Sequence, residues 1–346
     1  MDDTTKAVEG EAQAQRKGMQ SLQTLLNDYM VMLNDRMAGH IHCQPSGFTD
    51  LDEKFGGWLH DGHLIIIAAR PAMGKSALVQ QLVENVAKGN GKTGLFFSLE
   101  MSAYELVERY VSRVSGVPVP ILKTGKLDKA QIARVAEVIP YADIPVYIDD
   151  SSYTIDSIVG KAKAIQKRCV DAGHPPLGII AVDYLQMVTN GNGGTGANRA
   201  SEVGAVSTAL KRLAKDIQVP VIAVAQLNRG VEGRPDKRPS MSDLRESGQI
   251  EQDADSIFML YRDEYYHPDK TEAQGIAEIS CQKNRHGSTG TVRLAFVGER
   301  VMFANCAQDF TTTAPIAVPA KHGALRTMPY KPYHHDHAED YEDVPF

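Results

Sequence analysis

The chain has 346 residues, of which 42% are hydrophobic and 23% charged, enough apolar mass for a sizeable core and too much for a wholly disordered chain. That length exceeds one average domain and suits one enlarged α/β domain with appendages. The formal net charge is −6, but Asp336, Glu339, Asp340, Glu342 and Asp343 all lie in Pro332–Phe346, which has no Lys or Arg, so the near-neutral remainder does not exclude a nucleic-acid partner. No membrane span is expected, because the longest purely apolar run is Leu64–Ala69, far below the ~18 residues a span needs. The acidic, polar start MDDTTKAVEGEAQAQ is not a secretory signal. Cys43, Cys169, Cys281 and Cys306 lie far apart with no CxxC pair, which argues against a disulfide framework or zinc site and for a cytoplasmic protein.

Residues 1–20 are polar and aperiodic and read as a flexible arm. Over residues 21–45, Leu22, Leu25, Leu26, Tyr29, Met30, Leu33 and Met37 fall at helical spacing, followed by Pro45, Ser46 and Gly47, so a linker helix and its connection are expected. A lone helix cannot cover its own apolar stripe, so it must dock on its own body or on a neighbouring subunit. Residues 46–306 then alternate apolar strands with helical stretches. The expected strands are Leu64–Ala69, Thr93–Leu99, Val146–Ile148, Gly178–Val182 and Val219–Ala225; the helices between them include Ser76–Ala87, Ala130–Val138, Ile155–Val170 and Glu202–Ile217. This pattern predicts an α/β fold with a mostly parallel twisted sheet covered by helices on both faces. Ile257–Leu260, Ala277–Cys281, Val292–Phe296 and Val301–Ala304 read as shorter strands extending the sheet. Residues 307–346, rich in Thr, Ala, Pro and His, read as a disordered acidic tail, whose His334, His335 and His337 could bind a metal adventitiously.

Leu64–Ser76 reads LIIIAARPAMGKS: an apolar strand, a turn, then Gly-Lys-Ser opening a helix. In that context the segment is a phosphate-binding loop, with Ala69, Arg70, Pro71, Ala72, Met73, Gly74, Lys75, Ser76 and Ala77 around the phosphates. Backbone N–H groups at the helix start face the anion, Lys75 reaches the β- and γ-phosphates, and the Ser76 hydroxyl ligates Mg²⁺. Ala69 stands where GxxxxGK[ST] has its first Gly, which is workable if its φ stays negative. Asp183 ends the apolar run LGIIAVD and is the expected partner of Ser76 in holding the metal. Glu100 closes GLFFSLE; it is either a solvated turn residue or, beside a phosphate loop, the base that orients water. Gln226, ending VPVIAVAQ, either caps its strand or senses the γ-phosphate.

The strings GFTDLDEKFGG, IIIAARPAMGKS, FFSLEMS, VDYLQM, AVAQLNRGVEGRPDKRP and SDLRESGQIEQDAD, in this order, resemble the DnaB-type replicative helicases over roughly residues 46–305. The resemblance implies a RecA-like P-loop NTPase that uses ATP or another NTP with Mg²⁺. It also implies a homo-hexameric ring that translocates 5′ to 3′ on single-stranded DNA and unwinds a fork. Within it, Lys283 and Arg285 of QKNRHG match the basic pair that reaches a neighbour's γ-phosphate. Arg245, Glu246 and Gly248 match a DNA-facing loop, and Gly191–Arg199 the position of a second one, where a plain flexible connection is the alternative. The helix at Leu22–Met37 resembles the family's linker helix. The family's helical N-terminal domain, which recruits primase, is not matched, as expected of a phage-type short form or of a truncated chain. The closing Asp-Val-Pro-Phe is similar to the tip of bacterial single-stranded-DNA-binding proteins, a candidate docking motif for a helicase loader, primase or other replication protein. The rival readings are a RecA-like ATPase without processive unwinding and an NTP-binding assembly scaffold.

Overall fold

The computed structural model describes residues 19–37, 43–141, 143–190, 199–244 and 248–306. The chain divides into two units, residues 1–43 and 44–346. In the first, helix α1 (Leu22–Met37) forms where the apolar spacing predicts it, and Leu22, Leu25, Leu26, Tyr29, Met30 and Val31 are all exposed in the single chain.

The second unit is built on a nine-stranded sheet. Its strands in chain order are β1 (Leu64–Ala69), β2 (Thr93–Ser98), β3 (Val146–Asp149), β4 (Leu177–Asp183), β5 (Val221–Gln226), β6 (Ser256–Tyr261), β7 (Ile276–Asn284), β8 (Gly290–Val297) and β9 (Met302–Asn305). The spatial order is β9-β8-β7-β6-β1-β5-β4-β2-β3. From β6 to β3 every pairing is parallel, while β7, β8 and β9 continue the sheet antiparallel. Parallel strands need crossovers long enough for helices, and hairpins do not. The chain follows that rule, becoming antiparallel where its segments shorten.

The apolar strand sequences follow from burial on both faces. Along β1, Ile65, Ile67 and Ala69 enter one core with α2 (Thr49–Phe55) and α3 (Lys75–Asn90); Leu64, Ile66 and Ala68 enter the other with α7 (Ile155–Asp171) and α8 (Arg199–Ile217). A period of two with both faces covered leaves no polar position. Three further helices follow β2: α4 (Ala103–Ser115), α5 (Val119–Thr124) and α6 (Lys129–Ala136). Helix α4 opens with a capping box in which Ser102 and Glu105 bond each other's backbone N–H groups. Two short helices, α9 (Gly248–Asp253) and α10 (Asp263–Tyr266), flank β6. Helix α9 packs on α8 in parallel: Gln249 abuts Gly204, and Asp253 accepts from the Thr208 hydroxyl at 2.9 Å.

Observed limits differ slightly from the expected ones. Strand β5 starts at Val221 rather than Val219, because Pro220 has no N–H to donate to the ladder. Strand β2 ends at Ser98, so Glu100 lies in the bend after the strand.

Candidate active site

Strand β1 ends at the centre of the sheet, and the next five residues turn into α3. Ala69 is the last β1 residue, fully buried and in register with Gln226, so its extended backbone has no need of glycine. The left-handed positions fall later in the loop, at Ala72 (φ 61°) and Gly74 (φ 97°). A side chain at Gly74 would be strained by that φ and would meet Phe303 at 3.1 Å. Met73 and Ala77 anchor the loop in the core while Pro71 and Ala72 stay exposed. Arg70 is buried; its Nε donates to Glu232 at 2.8 Å and its NH1 to the Leu227 carbonyl at 2.7 Å, tying the loop to the segment after β5.

Lys75 opens α3 and donates to the Arg70 carbonyl at 3.2 Å. Burial lowers its pKa, partly countered by Asp183 and Glu100. Asp183 ends β4, 1% exposed, and neither carboxylate oxygen has a hydrogen-bonding partner among the described residues. Burial pushes its pKa up; the nearby Ser76 hydroxyl opposes that, the Glu100 charge adds to it, and Lys75 and Arg109 oppose it. A dry carboxylate without a donor is costly, and a hydrated divalent cation relieves it. Ser76 and Asp183 are therefore an oxygen donor set that fits Mg²⁺, which keeps waters and phosphate oxygens in its shell. Glu100 is exposed and lines the same cavity. Gln226 lines it from the end of β5, its backbone bracketed by Gln186, whose side chain accepts from Gln226 N at 3.3 Å.

This cavity, about 640 Å³, brings together Ala72, Gly74, Lys75, Ser76, Glu100 and Gln226. It also contains residues that sequence reasoning missed. Arg109 projects from α4, and its guanidinium makes no hydrogen bond or ion pair with another described residue. Arg262 stacks on Phe296 with 3.8 Å from guanidinium carbon to ring centroid, and its NH1 reaches the Ala72 carbonyl at 3.4 Å. Arg262, Phe296 and Val301 form the apolar and cationic flank of the cavity, a surface suited to a flat base. Arg109 sits on α4, whose signals in the sequence are faint; Arg262, Phe296 and Val301 come from distant segments with no shared motif.

Lys283 and Arg285 stand elsewhere. Lys283 Nζ donates to the Glu251 and Ala254 carbonyls; Arg285 donates to the Gln252 carbonyl and lies 3.5 Å from Asp255 Oδ1. Asp255 N donates to the carbonyl of Leu64, the first β1 residue, whereas the phosphate loop leaves the last. The side chains of the pair thus reach toward the end of the sheet opposite the loop. Of the expected DNA contacts, Arg245 and Glu246 lie outside the described residues, as do residues 191–198, while Gly248 is the exposed first residue of α9.

The family described as DnaB-like helicase C terminal domain matches residues 44–305. The chain belongs to that family. Against the replicative DNA helicase DnaB of Geobacillus stearothermophilus it is 42% identical over 285 residues, 82% of this chain and 61% of that protein. Against the DnaB of Haemophilus influenzae it is 43% identical over 268 residues, 76% and 55%. The chain thus spans about three-fifths of the length of these DnaB relatives. Among solved structures, one described as an ATPase domain superposes with a TM-score of 0.73 at 32% identity, covering 82% of this chain and 99% of that one. A DnaB-like replicative helicase, described with its interactions with primase, gives a TM-score of 0.73 at 31% identity over 88% and 71%. The mostly parallel sheet with helices on both faces is thus the RecA-like fold of these DnaB-family ATPase domains.

Proposed function

We propose that the chain is the motor of a ring-shaped replicative DNA helicase, coupling NTP hydrolysis to 5′-to-3′ translocation on single-stranded DNA and to duplex unwinding. The observation that carries this reading is the division of chemistry between opposite ends of one strand. A phosphate loop with Lys75, Ser76, Asp183 and Glu100 lies at one end, and the side chains of Lys283 and Arg285 reach toward the other. A rigid sheet does not bring those ends together, so a second copy must supply the pair, and a closed ring satisfies every site. Within one site, Lys75 and the loop amides hold the β- and γ-phosphates, Ser76 and Asp183 hold Mg²⁺, Glu100 orients water, and Gln226 contacts the γ-phosphate. Bound Mg²⁺ supplies neutralising charge on the phosphate oxygens.

The DNA-facing elements are Arg245, Glu246 and Gly248, with residues 191–199 as a second loop. Their support is the parallel packing of α8 and α9, in which Gln249 near the start of α9 lies beside Gly204, five residues into α8. In this reading residues 46–306 are the motor, α1 docks its exposed stripe on a neighbouring copy, and residues 1–20 and 307–346 are an arm and a tail. A helicase loader and primase are the expected partners, with Val344–Phe346 as a candidate docking tip and the cytoplasm as the compartment. Among the described residues no helix is long and apolar enough to cross a membrane. The test is DNA-stimulated ATPase and fork unwinding by the purified chain, beside Lys75→Ala. Activity lost in the variant supports the reading. An ATPase that never unwinds supports a non-processive motor, and an unstimulated NTP-binding ring supports a scaffold.

A further inference from the structure

The end of the sheet opposite the phosphate loop holds a second cluster of chemically competent side chains. His63 precedes β1, Asp255 precedes β6, and His286 occupies the turn between β7 and β8, so three separate segments converge. One donor atom from each lies within 4.8 Å of the others. The His63 and His286 rings stack with centroids 4.5 Å apart and an interplanar angle of 27°; His60 stands 5.1 Å beyond His63. We propose that His63, His286 and Asp255 bind a divalent transition-metal ion of the imidazole-preferring class, separate from the nucleotide's Mg²⁺.

Two imidazoles and a carboxylate are a donor set for Zn²⁺, Co²⁺ or Ni²⁺, whereas Mg²⁺ favours an all-oxygen shell. Metal–ligand bonds of about 2.0–2.2 Å place donors nearer together than 4.8 Å, so the site must contract by roughly an ångström. The exposed His286 turn has room to supply that movement. Asp255 Oδ2 is committed, accepting from Leu64 N at 2.8 Å and from Lys211. Among the described residues Oδ1 has only the 3.5 Å approach of Arg285, and it is the oxygen a metal would take. His286 also lines, with His60 and Asn284, a cavity of about 270 Å³, so its imidazole is reachable from that side. The positive charges of Lys211 and Arg285 oppose a dication, so binding is expected to be reversible rather than structural.

Occupancy would detach Arg285 from Asp255. If Arg285 serves a neighbour's nucleotide as proposed above, the metal would also alter ATPase. That consequence rests on the earlier reading, whereas the binding itself does not.

The experiment titrates Co²⁺, with Mg²⁺ in excess, into the full chain carrying His334→Asn, His335→Asn and His337→Asn, which removes the tail imidazoles. Expected is one Co²⁺ per chain, read by its visible ligand-field absorption and displaced by Zn²⁺. His286→Asn and His63→Asn should each weaken binding at least tenfold while melting cooperatively. Undiminished binding in both variants would make this an adventitious ion only, and no binding by the parent would equally overturn the proposal. Arg285→Ala should still bind Co²⁺, which separates failure of the site from failure of the helicase reading.

Discussion

Among the described residues the two buried oxygens of Asp183 accept no hydrogen bond, although the Ser76 hydroxyl is near, an arrangement that a bound cation would make less costly. Its neighbours divide the remaining work, and substitution can separate their roles. Glu100→Gln should lower the hydrolysis rate by roughly 10²–10⁴-fold and leave nucleotide affinity within a few-fold, because only proton acceptance is lost. Single-turnover hydrolysis beside equilibrium nucleotide binding checks this; a parallel loss of both would place Glu100 in binding instead. Asp149, at the end of β3, offers a pH test. Burial would raise its pKa, but hydrogen bonds from Lys161, Ser151 and Ser152 override that and hold it at about 2. A depressed carboxylate stabilises the fold above its unfolded pKa of about 3.9, and that contribution disappears as pH falls through 2. Asp149→Asn should therefore cost ~1 kcal/mol at pH 7, after allowance for solvent screening. The gap between variant and parent should close between pH 4 and 2 in urea melts. The phosphate loop was legible from sequence because its chemistry is local: a strand, a turn and Gly-Lys-Ser are contiguous. Arg262, Phe296 and Val301 were not, because only the folded sheet assembles them.

Among the elements, the apolar strands were legible because burial on both faces leaves no polar position in β1, nor in β4 before its terminal Asp183. Helix α4 was not anticipated; its chief signals are the Ser102/Glu105 capping box and one apolar face exposing Tyr104 and Val107, both fainter than a continuous run. Close approach of α3 to the sheet makes glycine necessary at one place and dispensable at another. A Cβ at Gly94 in β2 would stand 2.6 Å from Val83 Cγ1 and 3.2 Å from the Val83 carbonyl. Gly94→Ala should cost about 1–3 kcal/mol through overpacking. Gly89, in the last turn of α3, has nothing within 4 Å of a Cβ, and Gly89→Ala should stabilise by about 0.5–1 kcal/mol. Denaturation midpoints of the two variants should move in opposite directions; a shared direction would contradict the packing described for α3.

At the scale of the whole molecule, the proposed reading assigns complementary halves of one reaction to the two ends of the sheet. Lys75 stands beyond the C-terminal end of β1, Lys283 and Arg285 beside its N-terminal end. The role of that pair was not legible from local sequence, since a basic pair in a hairpin has no signature without a second subunit. The family resemblance suggested it, and subunit mixing tests it. In that reading the protein should hydrolyse nucleotide only when one copy's loop meets another copy's basic pair. The decisive measurement is DNA-stimulated ATPase of Lys75→Ala and Arg285→Ala, each alone and then mixed to allow subunit exchange. Each variant alone should be inactive, and the mixture should regain part of the activity, because some junctions join an intact loop to an intact Arg285. No recovery in rings shown to be mixed would mean that Lys75 and Arg285 act within the same subunit, contrary to this structure.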